Sequence, residues 1–338
     1  MSNFIVNVYQ MRDSSFNIGY QMGKYIKNKP ILNTFRAITR PSIDFKNMEA
    51  IYSTFAPHLL EELEGLSQGL EISFSEAALL FSGYDVPKTE AMGCSAIMTK
   101  DYYVRNYDFS PDLYDGMFSL IQPHTSFATA GYNLQIIGRH DGVNEAGLVA
   151  GLHFVSNEGY TTGLSAWTAV RMVLDGCSTT EEAVHMLKEI PHTACYNFSL
   201  GDEQGNFAVV EASPENVVVR REPSLLTCVN HFQDQRLQDK NRSSIEHSIK
   251  RHNYLLQYKD RNYTLDEMFV NFKDIQSPIF FTDYDQLFGT LHTFLYAFQN
   301  SRILTAIARS EQVLDINFQE WVNGKSINEH ILEGIIEE

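Results

Sequence analysis

A chain of 338 residues is long enough for one large or two ordinary domains, and 43% hydrophobic with 12% aromatic residues can fill a sizeable core. A formal charge of −16, from 26 Lys and Arg against 42 Asp and Glu, repels polyphosphate and anionic headgroups, which argues against nucleic acid and membrane surfaces as partners. The opening MSNFIVNVYQMRD lacks the basic flank and apolar core of a secretory signal, no apolar run reaches the length of a membrane span, and the four cysteines are irregularly spaced, so a reducing, cytoplasmic setting without disulfides or zinc is expected.

Residues 1–90 read mainly as helix. SSFNIGYQMGKYIKNKP begins on capping serines and ends in a lysine-rich turn and a proline. APHLLEELEGLSQGLEISFSEAALLFSGYD gives two more helical segments, the second opened by Ser73 or Ser75, although Gly65 and Gly69 weaken the end of the first. After Cys94 the pattern changes. CSAIMTKDYYVRNYDF reads as two short strands about a Lys100-Asp101 turn, and NLQIIGRHDGVNEAGLVAGLHFV repeats the pattern. GLSAWTAVRMVLDGC and TTEEAVHMLKEI are amphipathic helices, with Thr179 or Thr180 as a cap. NFSLGDEQGNFAVVEASPENVVVRR returns to strands, a helix runs from about Ser243 to Tyr258, and GTLHTFLYAF and RILTAIA are late strands. Strands, a helix pair, strands, helix and strands suit two stacked, mainly antiparallel sheets with helices outside, an α+β architecture.

On composition alone a cysteine at a strand start is core, and Cys177, Cys195 and Cys228 keep that reading. Three features set Cys94 apart. It follows Gly93, whose carbonyl is open to attack; it marks the change from helical to β-rich sequence, where a cut would separate two units cleanly; and Arg105 and Asp108 return beside it on the next strand. A cysteine made N-terminal by such a cut carries thiol and amine on one residue. The α-amine, with an unperturbed pKa of about 8, can take the thiol proton and deliver it to a leaving nitrogen without a histidine.

The motifs GCSA and RNYDF, followed in order by GVNEAGLVAGLHF, GDEQGNFAVVEASPENVVV, LTCVNHF and TLHTFLYAF, resemble the choloylglycine hydrolase and acyl-coenzyme A:6-aminopenicillanic acid acyltransferase superfamily of N-terminal-nucleophile hydrolases. IGYQMGKYI and LLEELEGLSQGLEI resemble the helical prosegment of its acyltransferase-like branch. The resemblance implies a four-layer αββα sandwich with a helical prosegment over residues 1–93 and the hydrolase domain over 94–338. It implies Cys94 as nucleophile and Gly93–Cys94 as the bond cut during maturation. Arg105 would support the nucleophile, Asp108 would hold the new α-amine, and Asn230 would help bind the oxyanion. Arg251 falls near a substrate-binding position. His153 stands where the family usually has asparagine; a neutral histidine can still donate one hydrogen bond. The expected partner is a small-molecule N-acyl amide, with neither metal nor organic cofactor and homo-oligomerisation left open. Asn144 and Gly147 read as turn residues, and His231 as structural. The rivals are a papain-like thiol protease, whose nucleophile opens a helix, and an uncleaved, catalytically silent binding or scaffold protein.

Overall fold

Strand alternation and the burial of both strand faces place Cys94 and Arg105 between two sheets. The computed structural model describes residues 2–88, 93–259, 263–284 and 288–336. One sheet contains β1 (Ser2–Asp13), β4 (Met117–Pro123), β5 (Thr129–Leu134), β6 (Gly138–Asn144), β7 (Val149–Ser156), β8 (Cys195–Gly201), β9 (Phe207–Ala212), β10 (Val217–Arg220) and β16 (Ile331–Ile336). Its order is β10-β9-β8-β7-β6-β5-β4-β1-β16. The other contains β2 (Gly93–Met98), β3 (Tyr102–Phe109), β11 (Leu226–Cys228), β12 (Thr282–Asp283), β13 (Phe288–Ala297), β14 (Arg302–Ile307) and β15 (Leu314–Asn317), ordered β11-β2-β3-β13-β14-β15 with β12 on β13.

The sheets face each other: Tyr132 Oη lies 2.6 Å from Thr305 Oγ1, and Tyr103 Oη 2.9 Å from Ser199 Oγ. Cys94, Ala96 and Met98 of β2, with Tyr103 and Tyr107 of β3, lie in the inter-sheet core. Ile97, Tyr102 and Val104 point the other way, into a second core, as the period of a strand requires. Helices α8 (Glu246–Leu256) and α9 (Leu265–Lys273) cover that second face, while α6 (Ala166–Gly176) and α7 (Thr180–Glu189) cover the nine-stranded sheet. The result is the expected αββα sandwich. Caps form where the sequence marks them: Ser73 opens α5 (Phe74–Phe81) and Thr179 opens α7. Among the described residues no helix is long and apolar enough to cross a membrane.

Residues 2–88 differ from the expectation in one respect. They are helical over α1 (Ser15–Ile26), α2 (Ile31–Ile38), α3 (Phe45–Phe55), α4 (His58–Leu70) and α5, but they open on β1. That strand runs parallel to β4 and antiparallel to β16, pairing Ser2 with Ile336 and Asp13 with Pro123. A cut at 93/94 would therefore not separate two units cleanly, because one strand of the hydrolase sheet lies before it. Gly65 and Gly69 do not weaken α4. A Cβ at Gly65 would overlap the Phe16 carbonyl, and one at Gly19 the Glu62 carbonyl, so glycines let α1 and α4 approach backbone to backbone.

Candidate active site

Register sets the centre of the site. Antiparallel pairing of β2 with β3 opposes Cys94 to Tyr107, Ala96 to Arg105 and Gly93 to Asp108. Residues directly opposite share a face, so the Cys94 thiol and the Arg105 guanidinium both enter the inter-sheet space, while Asp108 leaves on the other side. Arg105 Nη2 lies 3.1 Å from Cys94 Sγ. The same guanidinium donates to the Asp141 carboxylate and the Leu152 carbonyl.

The backbone of Cys94 is held as closely as its thiol. Its N–H donates to Asn230 Oδ1 at 2.8 Å. Arg251, on α8, donates to the Cys94 carbonyl, to Ser95 Oγ at 3.0 Å and to Asn230 Oδ1 at 2.8 Å. Two donors on one oxygen fix the orientation of the Asn230 amide, and one Nδ2 hydrogen then goes to the Phe154 carbonyl at 2.9 Å. The sheet makes that carbonyl available. β7 pairs with β6 only from Val149 to Gly151, so beyond Gly151 the edge of β7 that faces β6 is uncovered. The Leu152 and Phe154 carbonyls, two residues apart, accept from Arg105 and Asn230 there. Asn197 of β8 supports the Asn230 loop by donating to the Val229 and His231 carbonyls at 2.9 and 3.0 Å.

On the opposite face, Thr290 Oγ1 donates to Asp108 Oδ1 at 2.7 Å, while Asp108 Oδ2 is buried with no hydrogen-bond partner. That free oxygen faces Gly93, lying 2.8 Å from where a Cβ on Gly93 would sit. Burial pushes the Asp108 carboxyl up to about 6, against the pull of Arg251, Thr290 and Arg105. Burial likewise pushes the Cys94 thiol up to about 11, opposed by Arg105 and Arg251. His153 is held well below its ordinary range by burial and by the two arginines, so its ring is neutral. Its Nε2 lies 2.9 Å from Ser199 Oγ, and its Nδ1 is buried without a partner.

The structure thus brings Gly93, Cys94, Arg105, Asp108, Asn230 and Arg251 into direct contact or register, with His153 beside them. Arg251 sits on the Cys94 carbonyl and on Asn230 rather than on an open substrate surface. Asn144 ties the turn after β6 to α6 through the Leu174 and Cys177 carbonyls, and His231 pairs with Ser248, both structural as read. Asp141 and Thr290 are additions. Each sits in a strand among other polar residues, and only cross-strand register singles it out. Cys94 opens a strand and not a helix, which removes the geometry of the papain-like rival. Among the described residues no cluster of His, Cys, Asp and Glu is arranged to hold a metal ion.

Among solved structures the chain is similar to a penicillin V acylase from Agrobacterium tumefaciens, at 16% identity over 67% of this chain and 86% of that one, with a TM-score of 0.44. It is similar also to a conjugated bile acid hydrolase from Clostridium perfringens, at 16% identity over 74% and 99%, TM-score 0.45. A third is the N-acylethanolamine-hydrolyzing acid amidase ortholog of Caenorhabditis elegans, at 12% identity over 62% and 95%, TM-score 0.42. No curated protein gives a significant match. The family described as acyl-coenzyme A:6-aminopenicillanic acid acyl-transferase matches residues 97–312, well over half of the chain. The chain therefore belongs to the acyl-coenzyme A:6-aminopenicillanic acid acyl-transferase family, and it is an enzyme.

Proposed function

We propose that this protein is a self-processing cysteine amidase or acyltransferase acting on linear, non-peptide amides through a thioester on Cys94. The observation that carries the reading is that the two reactive atoms of Cys94 are engaged by different groups, the sulfur by Arg105 and the nitrogen by Asn230, while Arg251 anchors its carbonyl. In maturation the Cys94 sulfur attacks the Gly93 carbonyl, the Gly93–Cys94 amide breaks, and the nitrogen leaves as an amine. Water then hydrolyses the thioester. The freed amine replaces an amide N–H on Asn230 Oδ1, and the unpaired Asp108 oxygen beside Gly93 gives it a second acceptor. In turnover that amine takes the thiol proton, the sulfur attacks the substrate acyl carbonyl, and the proton goes to the leaving nitrogen. Water, or an acceptor amine, resolves the acyl-enzyme.

Two groups serve the oxyanion. The second Nδ2 hydrogen of Asn230 is one. His153 is the other: in the tautomer whose Nε2 accepts from Ser199 Oγ, a hydroxyl also within reach of Tyr103 and the Gly151 carbonyl, the ring hydrogen sits on the unpartnered Nδ1. The acyl group goes towards an apolar cleft lined by Phe109, Leu113, Leu134 and Trp167 and closed by Phe35 and Ile38 of α2. Phe109 lies two residues beyond Tyr107 on the same face, about 7 Å along the strand. The N-acyl amide is a small molecule, and the four free, buried cysteines suit a reducing compartment such as the cytoplasm.

The alternative, an uncleaved and silent family member, is separated from this reading by mass spectrometry and a panel of N-acyl amides. Wild type should split at 93/94 and gain activity in proportion to the fraction cut, because the amide nitrogen of the intact chain has no basic lone pair. Cys94→Ala should stay at full length and be inactive. Cleavage of that variant at 93/94 would remove Cys94 from self-processing, and full activity from uncut wild type would remove the freed α-amine as the base.

A further inference from the structure

The interactions of Arg105 continue past Asp141. Asp141 Oδ2, which takes Arg105 Nη1, also lies 2.9 Å from His292 Nε2, and His292 Nδ1 lies 2.7 Å from Tyr114 Oη. Arg105, Asp141 and His292 are at most 1% exposed and come from β3, β6 and β13; Tyr114, in the segment between β3 and β4, is also buried. An ionised carboxylate only accepts, so Nε2 carries the ring hydrogen and Nδ1 accepts from the Tyr114 hydroxyl. The ring is fixed in plane as well. It stacks on Tyr132, with centroids 3.7 Å apart and planes 12° from parallel.

Two irregularities of register aim these groups. β13 slips against β3 between Thr290 and His292, and β5 slips against β6 between Tyr132 and Asn133, beside Asp141. Such bulges re-aim side chains that a regular ladder would send elsewhere. A carboxylate held by Arg105 alone could rotate and carry the guanidinium with it. Asp141 Oδ1 has no partner, so His292 and Arg105, meeting on Oδ2, are what hold the carboxylate. Asp141 is kept below the usual carboxylate range, burial notwithstanding, by His292 and Arg105. The other titratable side chains facing this chain are Cys94, Tyr103, Tyr107, Asp108, Asp115, Tyr132, His140 and His153.

We propose that Asp141, held by His292 and Tyr114, is a positioning residue that fixes the Arg105 guanidinium against the Cys94 sulfur. The proposal rests on the reading of Cys94 as nucleophile. Two effects of Asp141 oppose each other: its negative charge disfavours a thiolate on Cys94, while its grip on Arg105 favours one. If charge were its whole effect, neutralising it would make the thiol more acidic; if position matters more, neutralising it makes the thiol less acidic.

The test uses the full chain as wild type, D141N, H292F and H292Q, the last keeping an N–H for Asp141. Four quantities are measured: the fraction cut, kcat and KM per cut chain on one N-acyl amide, and the pH at which iodoacetamide labels Cys94 at half its maximal rate. D141N and H292F should each lower kcat by about tenfold or more with KM changed by less than about twofold. The labelling midpoint should rise by about one unit. H292Q should recover most of both losses. A labelling midpoint in D141N that is unchanged or lower overturns the proposal. If D141N does not accumulate folded, the other pair decides: H292F and H292Q behaving alike overturns it. Failure of the underlying reading is seen separately, as turnover retained by Cys94→Ala.

Discussion

The ionisation of Asp108 is tied to the uncut state of the chain. With one oxygen on Thr290 and the other buried and unpaired, the carboxyl is pushed up to about 6 from an ordinary 3.8. The folded state therefore binds this proton more tightly than the unfolded state does. Its contribution to stability is fully present below the unfolded value and is lost as pH rises through the folded one. In the Cys94→Ala protein, the difference in melting temperature between Asp108 and Asp108→Asn should change across that window, with the aspartate form losing ground as pH rises from 4 to 6. A flat difference across the window would place the carboxyl in a more solvated setting than the structure gives it. At this scale much of the site was legible in the sequence. Gly93, Cys94, Arg105, Asp108 and Asn230 lie in compact motifs whose chemistry is explicit, and the structure draws them together. Asp141 sits in mid-strand on β6, and Thr290 and His292 two residues apart on β13, where no local pattern assigns them a role. Each gains meaning only from a partner on another strand.

The elements show the same division. Helices α5 and α7 were legible from their caps, and the hairpin of β2 and β3 from its turn. β1 was not, although Phe4, Val6 and Val8 alternate and are buried. Its partners are β4 and β16, more than a hundred and more than three hundred residues away, and no local signal names them. The glycines of α4 were misleading for a related reason. A glycine inside a helix costs about 1 kcal/mol against alanine, which reads as weakness until α1 is seen to occupy the missing side chain. Gly65→Ala should gain that propensity yet push a methyl group into the Phe16 carbonyl, which is backbone and cannot rotate away. Overpacking of this kind costs about 1–3 kcal/mol, so a net fall in the denaturant midpoint is expected. A raised midpoint would mean that α1 can retreat from α4 without loss.

Over the whole molecule, the helices before Gly93 are fastened to the layer after it by buried charge. Arg171 of α6 donates to Glu62 of α4 at 2.7 and 3.2 Å and to Asp175 at 2.7 Å, and Asp175 lies 2.8 Å from His58 of α4. Arg171, Glu62 and Asp175 side chains are fully buried. Removing one partner of such a pair leaves an uncompensated charge and costs about 3–5 kcal/mol. Arg171→Ala, which leaves two buried carboxylates without their arginine, should lower the unfolding free energy of the Cys94→Ala protein by that amount in a denaturant titration. After a cut in wild type the same network, together with β1, should keep both fragments in one peak on gel filtration. Separation of the fragments under native conditions would contradict both attachments. The αββα layering itself was legible in the order of elements; the interlock across the cut was not, because it depends on which helix faces which.

The place of β1 between β4 and β16 has a kinetic consequence. In the intact chain, closing the nine-stranded sheet is a unimolecular event, with β1 tethered to the strands it must meet. Once the 93/94 bond is gone, the same sheet can be rebuilt from the denatured state only by an encounter between two molecules. Refolding then becomes second order and slows with dilution, and the melting temperature acquires a dependence on concentration that the precursor lacks. Maturation would thus remove the simplest route back to the fold at the moment it supplies the catalytic amine.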